Sequence, residues 1–209
     1  MPIPQELVLI RHGQSTANAT GVWQGQLEFP LSEGGRLQAR LAGRALAGER
    51  LDGLYSSPLS RAFETAEIIA REAGFPGDVI AVEGLMERRG GLLEGTTLVE
   101  RGARYPGLMN KLLSIPEEEG WVVVGAETDG EVLARFERSI CEIRARHPAG
   151  ARIVVVSHGG AMRAFLRECF GPGILPGAER APNASITRVE WGPDGRPRLS
   201  ALASIGHLI

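Results

Sequence analysis

Cysteine is scarce. Cys141 and Cys169 are the two in a chain of 209 residues, and they lack the paired spacing of a zinc site or a disulfide framework. Both fall in stretches patterned as helix, so two buried thiols in a reducing compartment are expected. Long hydrophobic runs are also missing. "LVLI" is far too short to span a bilayer, and no basic region of a signal peptide precedes it. No membrane association is expected, and the cytoplasm is the expected location. Neither charge sign dominates: 23 Lys and Arg stand against 25 Asp and Glu, a net charge of −2. No global field therefore draws the chain to nucleic acid or an anionic surface. Any anion site has to be local. Repeats, linkers and low-complexity segments are absent too, which predicts a single domain over residues 1–209. Nothing in the pattern sets an oligomeric state, and a homodimer is left open.

What is present is an alternation of short apolar runs with helical patterns. That is the signature of an α/β fold with a mostly parallel central sheet and helices on both faces. "ELVLIRHG" reads as the first strand. Ser32 to Gly48 reads as helix, with Ser32 as its cap and Leu37, Leu41 and Ala45 along one face. "LDGLYSSP" is a short strand and turn, "LSRAFETAEIIAREAG" a helix stopped by Gly74, and "DVIAV" a third strand. Thr128 and Glu131 stand at capping-box spacing before a helix whose buried face is Val132, Phe136, Ile140 and Ile143, stopped by Pro148. "ARIVVVSHGG" is another apolar strand, followed by the helix "AMRAFLRECF". "SITRVEWGPDGRPRLSALAS" alternates around a Pro-Asp-Gly turn and predicts an antiparallel edge near the C-terminus. Thr96 to Gly125 shows helical fragments without a clear pattern, and "IPEEEG" reads as an exposed acidic loop.

Two of these strands end on histidine. In open α/β sheets ligands bind in the crevice beyond the carboxyl ends of the strands, so His12 and His158 are expected to converge there with Arg11. A guanidinium offers a planar fork of donors for phosphate or carboxylate oxygens, and neutral imidazole offers a nucleophilic nitrogen. Arg61 near a helix N-terminus opposes the macrodipole unless an anion sits there. Arg88 and Arg89 read as a solvated pair, although beside Glu87 they are within reach of a substrate's second anion. His147 and His207 read as surface or terminal packing groups.

The blocks "LIRHGQSTAN", "WQGQLEFPLSEGGRLQA", "LYSSPLSRAFETA", "LMERRGGLLEG", "VVVSHGGAMRAFL" and "NASITRVEW" resemble, in this order, those of the histidine phosphatase superfamily, the phosphoglycerate mutase-like proteins. The resemblance implies the phosphoglycerate mutase-like fold. It makes His12 the phosphoryl acceptor, Arg11 and Arg61 the grip on the phosphoryl oxygens, His158 a donor to them and Glu87 the proton donor. It places Asn18, Gln24 and Gly159 in substrate binding. It also implies no metal and no cofactor, a small phosphorylated metabolite as partner, and a phosphomonoesterase of the histidine acid phosphatase type. Two positions depart from the family pattern: Glu28 where Asp is common, and Leu93 where an aromatic is frequent. Neither is chemical. "GAETDGEV" resembles a family "GES" block with Ala126 interposed, which leaves Glu127 without a catalytic part.

Two alternatives remain beside the phosphatase. "ERRGG" resembles the start of the mutase block, yet no Trp-Arg-Arg segment follows it, "YPGL" looks more like the phosphatase branch, and no long C-terminal extension is seen. A non-catalytic phosphate-binding module is opposed by the complete set Arg11, His12, Arg61, Glu87 and His158. The released alcohol is not legible. Its selection is expected in the loops Gly91 to Glu127 and Gly173 to Asn183.

Overall fold

The computed structural model describes residues 5–174, 181–192 and 194–209. Six strands form one sheet: β1 (Gln5–Arg11), β2 (Gly53–Ser56), β3 (Ile80–Ala81), β4 (Arg152–Ser157), β5 (Ile186–Trp191) and β6 (Pro197–Ser204). Their order is β3-β2-β4-β1-β5-β6. The first four run parallel, and β5 and β6 close the other edge antiparallel. The mostly parallel sheet with an antiparallel C-terminal edge is thus observed as expected. Pro193 of the expected hairpin turn lies outside the described residues, as do residues 175–180 of the Gly173–Asn183 loop.

Alternation along β1 shows why the sheet is covered twice. Leu7 and Leu9 belong to a core with Phe136, Ile140 and Phe165, built by α7 (Asp129–Ala145) and α8 (Gly159–Phe170). Val8 and Ile10 belong to a second core with Ala42, Ala66 and Ile69, built by α2 (Glu33–Ala45) and α3 (Ser60–Ala73). Successive strand residues point to opposite faces, so a run of four apolar residues serves both cores.

Several expectations change. On α2 the buried face is Gly35, Ala39, Ala42 and Gly43, whereas Leu37 is 50% exposed and Ala45 is exposed. Small residues let α2 approach α3 so closely that a Cβ on Gly43 would lie 2.7 Å from the Cβ of Glu72. Backbone proximity, not leucine burial, chooses that face. "DVIAV" contributes just Ile80–Ala81 to the sheet. The segment without a clear pattern folds as α4 (Leu98–Arg104), α5 (Leu108–Leu113) and α6 (Glu117–Val123), and "IPEEEG" is the opening of α6, with Pro116 as its cap. Three glutamates in that first turn suit the helix dipole. Cys141 is exposed and not buried. Cys169 is half-buried, and burial pushes its thiol up to about 11, which leaves it a poor nucleophile. The capping box at Thr128 and the buried face of α7 are as read. No helix among the described residues is long and apolar enough to cross a membrane.

Candidate active site

Register brings the two strand-end histidines together. β1 and β4 pair with Arg11 opposite Ser157, so the next residues, His12 and His158, emerge side by side with ring centroids 5.0 Å apart. The backbone N–H of His12 donates to Ser157 O at 2.9 Å. Gly13 follows because a Cβ there would lie 2.4 Å from the carbonyl oxygen of Gly35. The "RHG" glycine is thus the place where the loop beyond β1 meets α2.

A hydrogen bond assigns the proton on the His12 ring. His12 Nδ1 lies 2.7 Å from Gly13 O. A carbonyl can only accept, so Nδ1 carries the proton and Nε2 keeps the lone pair. His158 Nε2 lies 2.8 Å from Ser57 Oγ. That hydroxyl also accepts from Leu59 N at 3.3 Å, and it donates to Nε2 in the tautomer that carries the ring proton on Nδ1. This Nδ1 is buried and has no hydrogen-bond partner among the described residues. Burial, then His158, Arg11 and Arg61 in that order, hold His12 well below the usual imidazole value of 6.5. Burial followed by Arg61, Arg11 and Arg135 does the same to His158. Both rings are neutral at neutral pH.

Two guanidinium groups flank them. Arg61, in the first turn of α3, is 1% exposed and donates to Gly25 O at 2.7 Å and Leu27 O at 2.9 Å. Its Nε is buried without a hydrogen-bond partner among the described residues. Arg11, the last residue of β1, donates to Ala181 O at 2.7 Å. Glu87 presents its carboxylate to three backbone N–H groups: its neighbour Arg88 at 2.8 Å, and Gly160 and Ala161 at 3.0 Å in the first turn of α8. Gly160 has to be glycine here, since a Cβ would lie 2.5 Å from Glu87 Oε1. Arg135 of α7 fixes the Glu87 loop from behind. It donates to the carbonyls of Gly84, Met86 and Glu87 and is paired with Glu127. Glu127 is therefore structural, as the "GAETDGEV" comparison implied.

These elements enclose a crevice of roughly 180 Å³ lined by Arg11, His12, Asn18, Gln24, Arg61 and Glu87. Asn18 Oδ1 accepts from Ser15 N and Asn183 Nδ2 at 3.2 Å each, which leaves its amide NH₂ to offer a ligand. Gln24 Oε1 accepts from Ser15 Oγ at 2.7 Å. His158 is fully buried next to His12, and Gly159 is buried; its neighbour Gly160 lines the crevice.

Sequence reasoning missed Trp23, Glu117, Trp121 and Arg163, which also line the crevice. Arg88 is not a solvated residue: its side chain is 4% exposed and paired with Asp129, and its guanidinium lies 4.3 Å from the centre of the Trp121 ring. Arg163 is paired with Glu117. Arg88 stood two residues from a recognisable glycine pair and carried a signal; Glu117, at the start of a seven-residue helix, carried none. No group of three or more His, Cys, Asp or Glu side chains among the described residues is arranged to hold a metal ion.

Comparisons with known proteins identify the family. The family model of the histidine phosphatase superfamily (branch 1) matches residues 7–204. A metal-independent phosphoserine phosphatase of Arabidopsis thaliana is 35% identical over 97% of this chain and 85% of its own length. A phosphoglycerate mutase-like protein of the same plant is 36% identical over 77% of this chain and 69% of its own. Among solved structures, a mycobacterial glucosyl-3-phosphoglycerate phosphatase in complex with VO3 superposes with a TM-score of 0.78 at 30% identity, covering 96% of this chain and 99% of that one.

Proposed function

The chain belongs to the histidine phosphatase superfamily, and on that premise we propose that it hydrolyses small phosphomonoesters, without a metal, through a phosphohistidine on His12. One observation carries this reading: a neutral, buried imidazole whose Nδ1 is tied to Gly13 O, beside a buried Arg61 Nε and a His158 Nδ1 that both lack partners. Buried donors without acceptors are costly, and a phosphoryl group supplies what they lack.

In the proposed reaction Arg11 and Arg61 hold the phosphoryl oxygens and His158 Nδ1–H donates to one of them. His12 Nε2 attacks phosphorus in line. The N–P bond forms as the P–O bond to the alcohol breaks, and the departing oxygen takes a proton from Glu87. Glu87, now a carboxylate, takes a proton from water; the new hydroxide attacks phosphorus, the N–P bond breaks and inorganic phosphate leaves. Asn18, Gln24 and Gly160 line the pocket around these atoms. Positioning and preorganised positive charge supply the catalysis.

The test is rapid quenching with a labelled phosphoester. An acid-labile, base-stable adduct on His12 is expected, together with a loss of several orders of magnitude in turnover for His12→Ala. Near-wild-type turnover in that variant would end the proposal. A broad phosphoester panel without any hydrolysis would favour a binding module instead.

A further inference from the structure

The crevice continues into a second recess of different character. Met109, Leu112 and Leu113 of α5, together with Ile115, Trp121 and Val124, wall an apolar space of roughly 360 Å³. Trp23, Glu117 and Trp121 line this recess and the phosphate crevice alike. The two indole rings stand 6.0 Å apart. Leu113 is 82% exposed, so the recess has an open apolar side that the fold does not fill. At the junction the indole N–H of Trp121 is buried with no hydrogen-bond partner among the described residues. Apolar surface left in water beside an unmatched donor is the pattern of a ligand wall, not of a finished core.

The charges around the junction argue against a carboxylated alcohol. Arg88 is held by Asp129 and the Trp121 ring, and Arg163 by Glu117. The protein's own carboxylates thus neutralise these two cations, and Arg101, the cation on the recess wall, is spent on Thr96 Oγ1 and the Thr96 carbonyl.

We infer that the alcohol portion of the substrate is apolar, an alkyl or aryl group that passes the edge formed by Trp23 and Trp121 and lies in the recess between α5 and α6. The inference rests on the reading that the ester phosphorus sits among His12, Arg11 and Arg61. It assigns Leu112, Leu113 and Met109 as specificity-determining residues, remote from the reacting atoms.

Two series test it on the intact protein. Hydrolysis of n-alkyl monophosphates from methyl to hexyl gives kcat/KM, and calorimetric titration with the matching n-alkylphosphonates gives Kd without any reaction. Each added methylene should raise kcat/KM and tighten Kd by about two- to fourfold. n-Butyl phosphate should surpass O-phosphoserine. Leu113→Asp, at an exposed position that does not threaten folding, should flatten both series. Hydrolysis that is indifferent to chain length, with equally flat phosphonate affinities, overturns the inference and leaves the phosphatase standing. Chain-length-dependent phosphonate binding without hydrolysis of any ester supports the recess and sinks the phosphatase instead. A preference for O-phosphoserine over butyl phosphate also overturns the inference.

Discussion

At the scale of single residues, the two buried imidazoles tie the site to pH in a definite direction. Both are held well below 6.5 in the folded protein, chiefly by burial, whereas in the unfolded chain they titrate near that value. Between the folded and unfolded values the unfolded state binds more protons, so stability rises with pH there. It is fully present above about 6.5 and is lost as pH falls below. Each histidine contributes a slope of up to about 1.4 kcal/mol per pH unit. Urea unfolding at pH 7.5 and 5.5 should show this loss, His12→Gln should reduce it, and added phosphate should offset it by supplying a counter-anion. Identical slopes in wild type and His12→Gln would show that His12 is not held neutral. The acid limb of kcat/KM should for the same reason lie below 6.5. These residues were legible because an arginine and a histidine end a four-residue apolar run. Gly160 was not, because its role is to leave room for a carboxylate 73 positions away, which no local spacing encodes.

At the scale of elements, α3 shows how a departure from the family pattern is put to use. Its N-cap, Leu59, has no side-chain hydrogen bond, and Arg61 adds positive charge to the positive end of the helix. Glu28, carried by a distant loop, reaches that end and accepts from Ser60 N at 3.0 Å and from Ser60 Oγ. It serves as a cap in trans. Glu28→Gln should lower stability by about 0.5 to 1 kcal/mol, read by denaturant midpoint, without weakening phosphate binding. An unchanged midpoint would remove the capping role. Long elements were legible: α7 announces both its cap and its buried face over 17 residues. α4, α5 and α6 have seven, six and seven residues, too few turns for a period to emerge. α2 was recognised as a helix but with the wrong face, because its packing is set by the absence of side chains at Gly35 and Gly43, and hydrophobic periodicity scores leucines.

At the scale of the whole molecule, the question is what happens to a phosphoryl group once it is on His12. β1 and β4 feed both cores, so the two faces should unfold together as the single domain expected from the sequence, and phosphate should raise the one transition observed. Two separate transitions would argue for two domains. Chelation with EDTA should leave turnover unchanged, since on the proposed reading Arg11 and Arg61 supply the positive charge and neutral His158 a hydrogen bond; a loss restored by a divalent ion would contradict that arrangement. A mutase has to hold water away from phosphohistidine until a second hydroxyl arrives, whereas a phosphatase lets water in. On the proposed reading Glu87, which lines the crevice together with His12, is the base for a water approaching phosphorus, and the neighbouring recess is walled mostly by apolar side chains. Supplied with 3-phosphoglycerate and 2,3-bisphosphoglycerate, the protein should release inorganic phosphate faster than it interconverts 3- and 2-phosphoglycerate. Exchange that outruns phosphate release would promote the mutase, and with it the view that Arg88 leaves Asp129 to take a second anion.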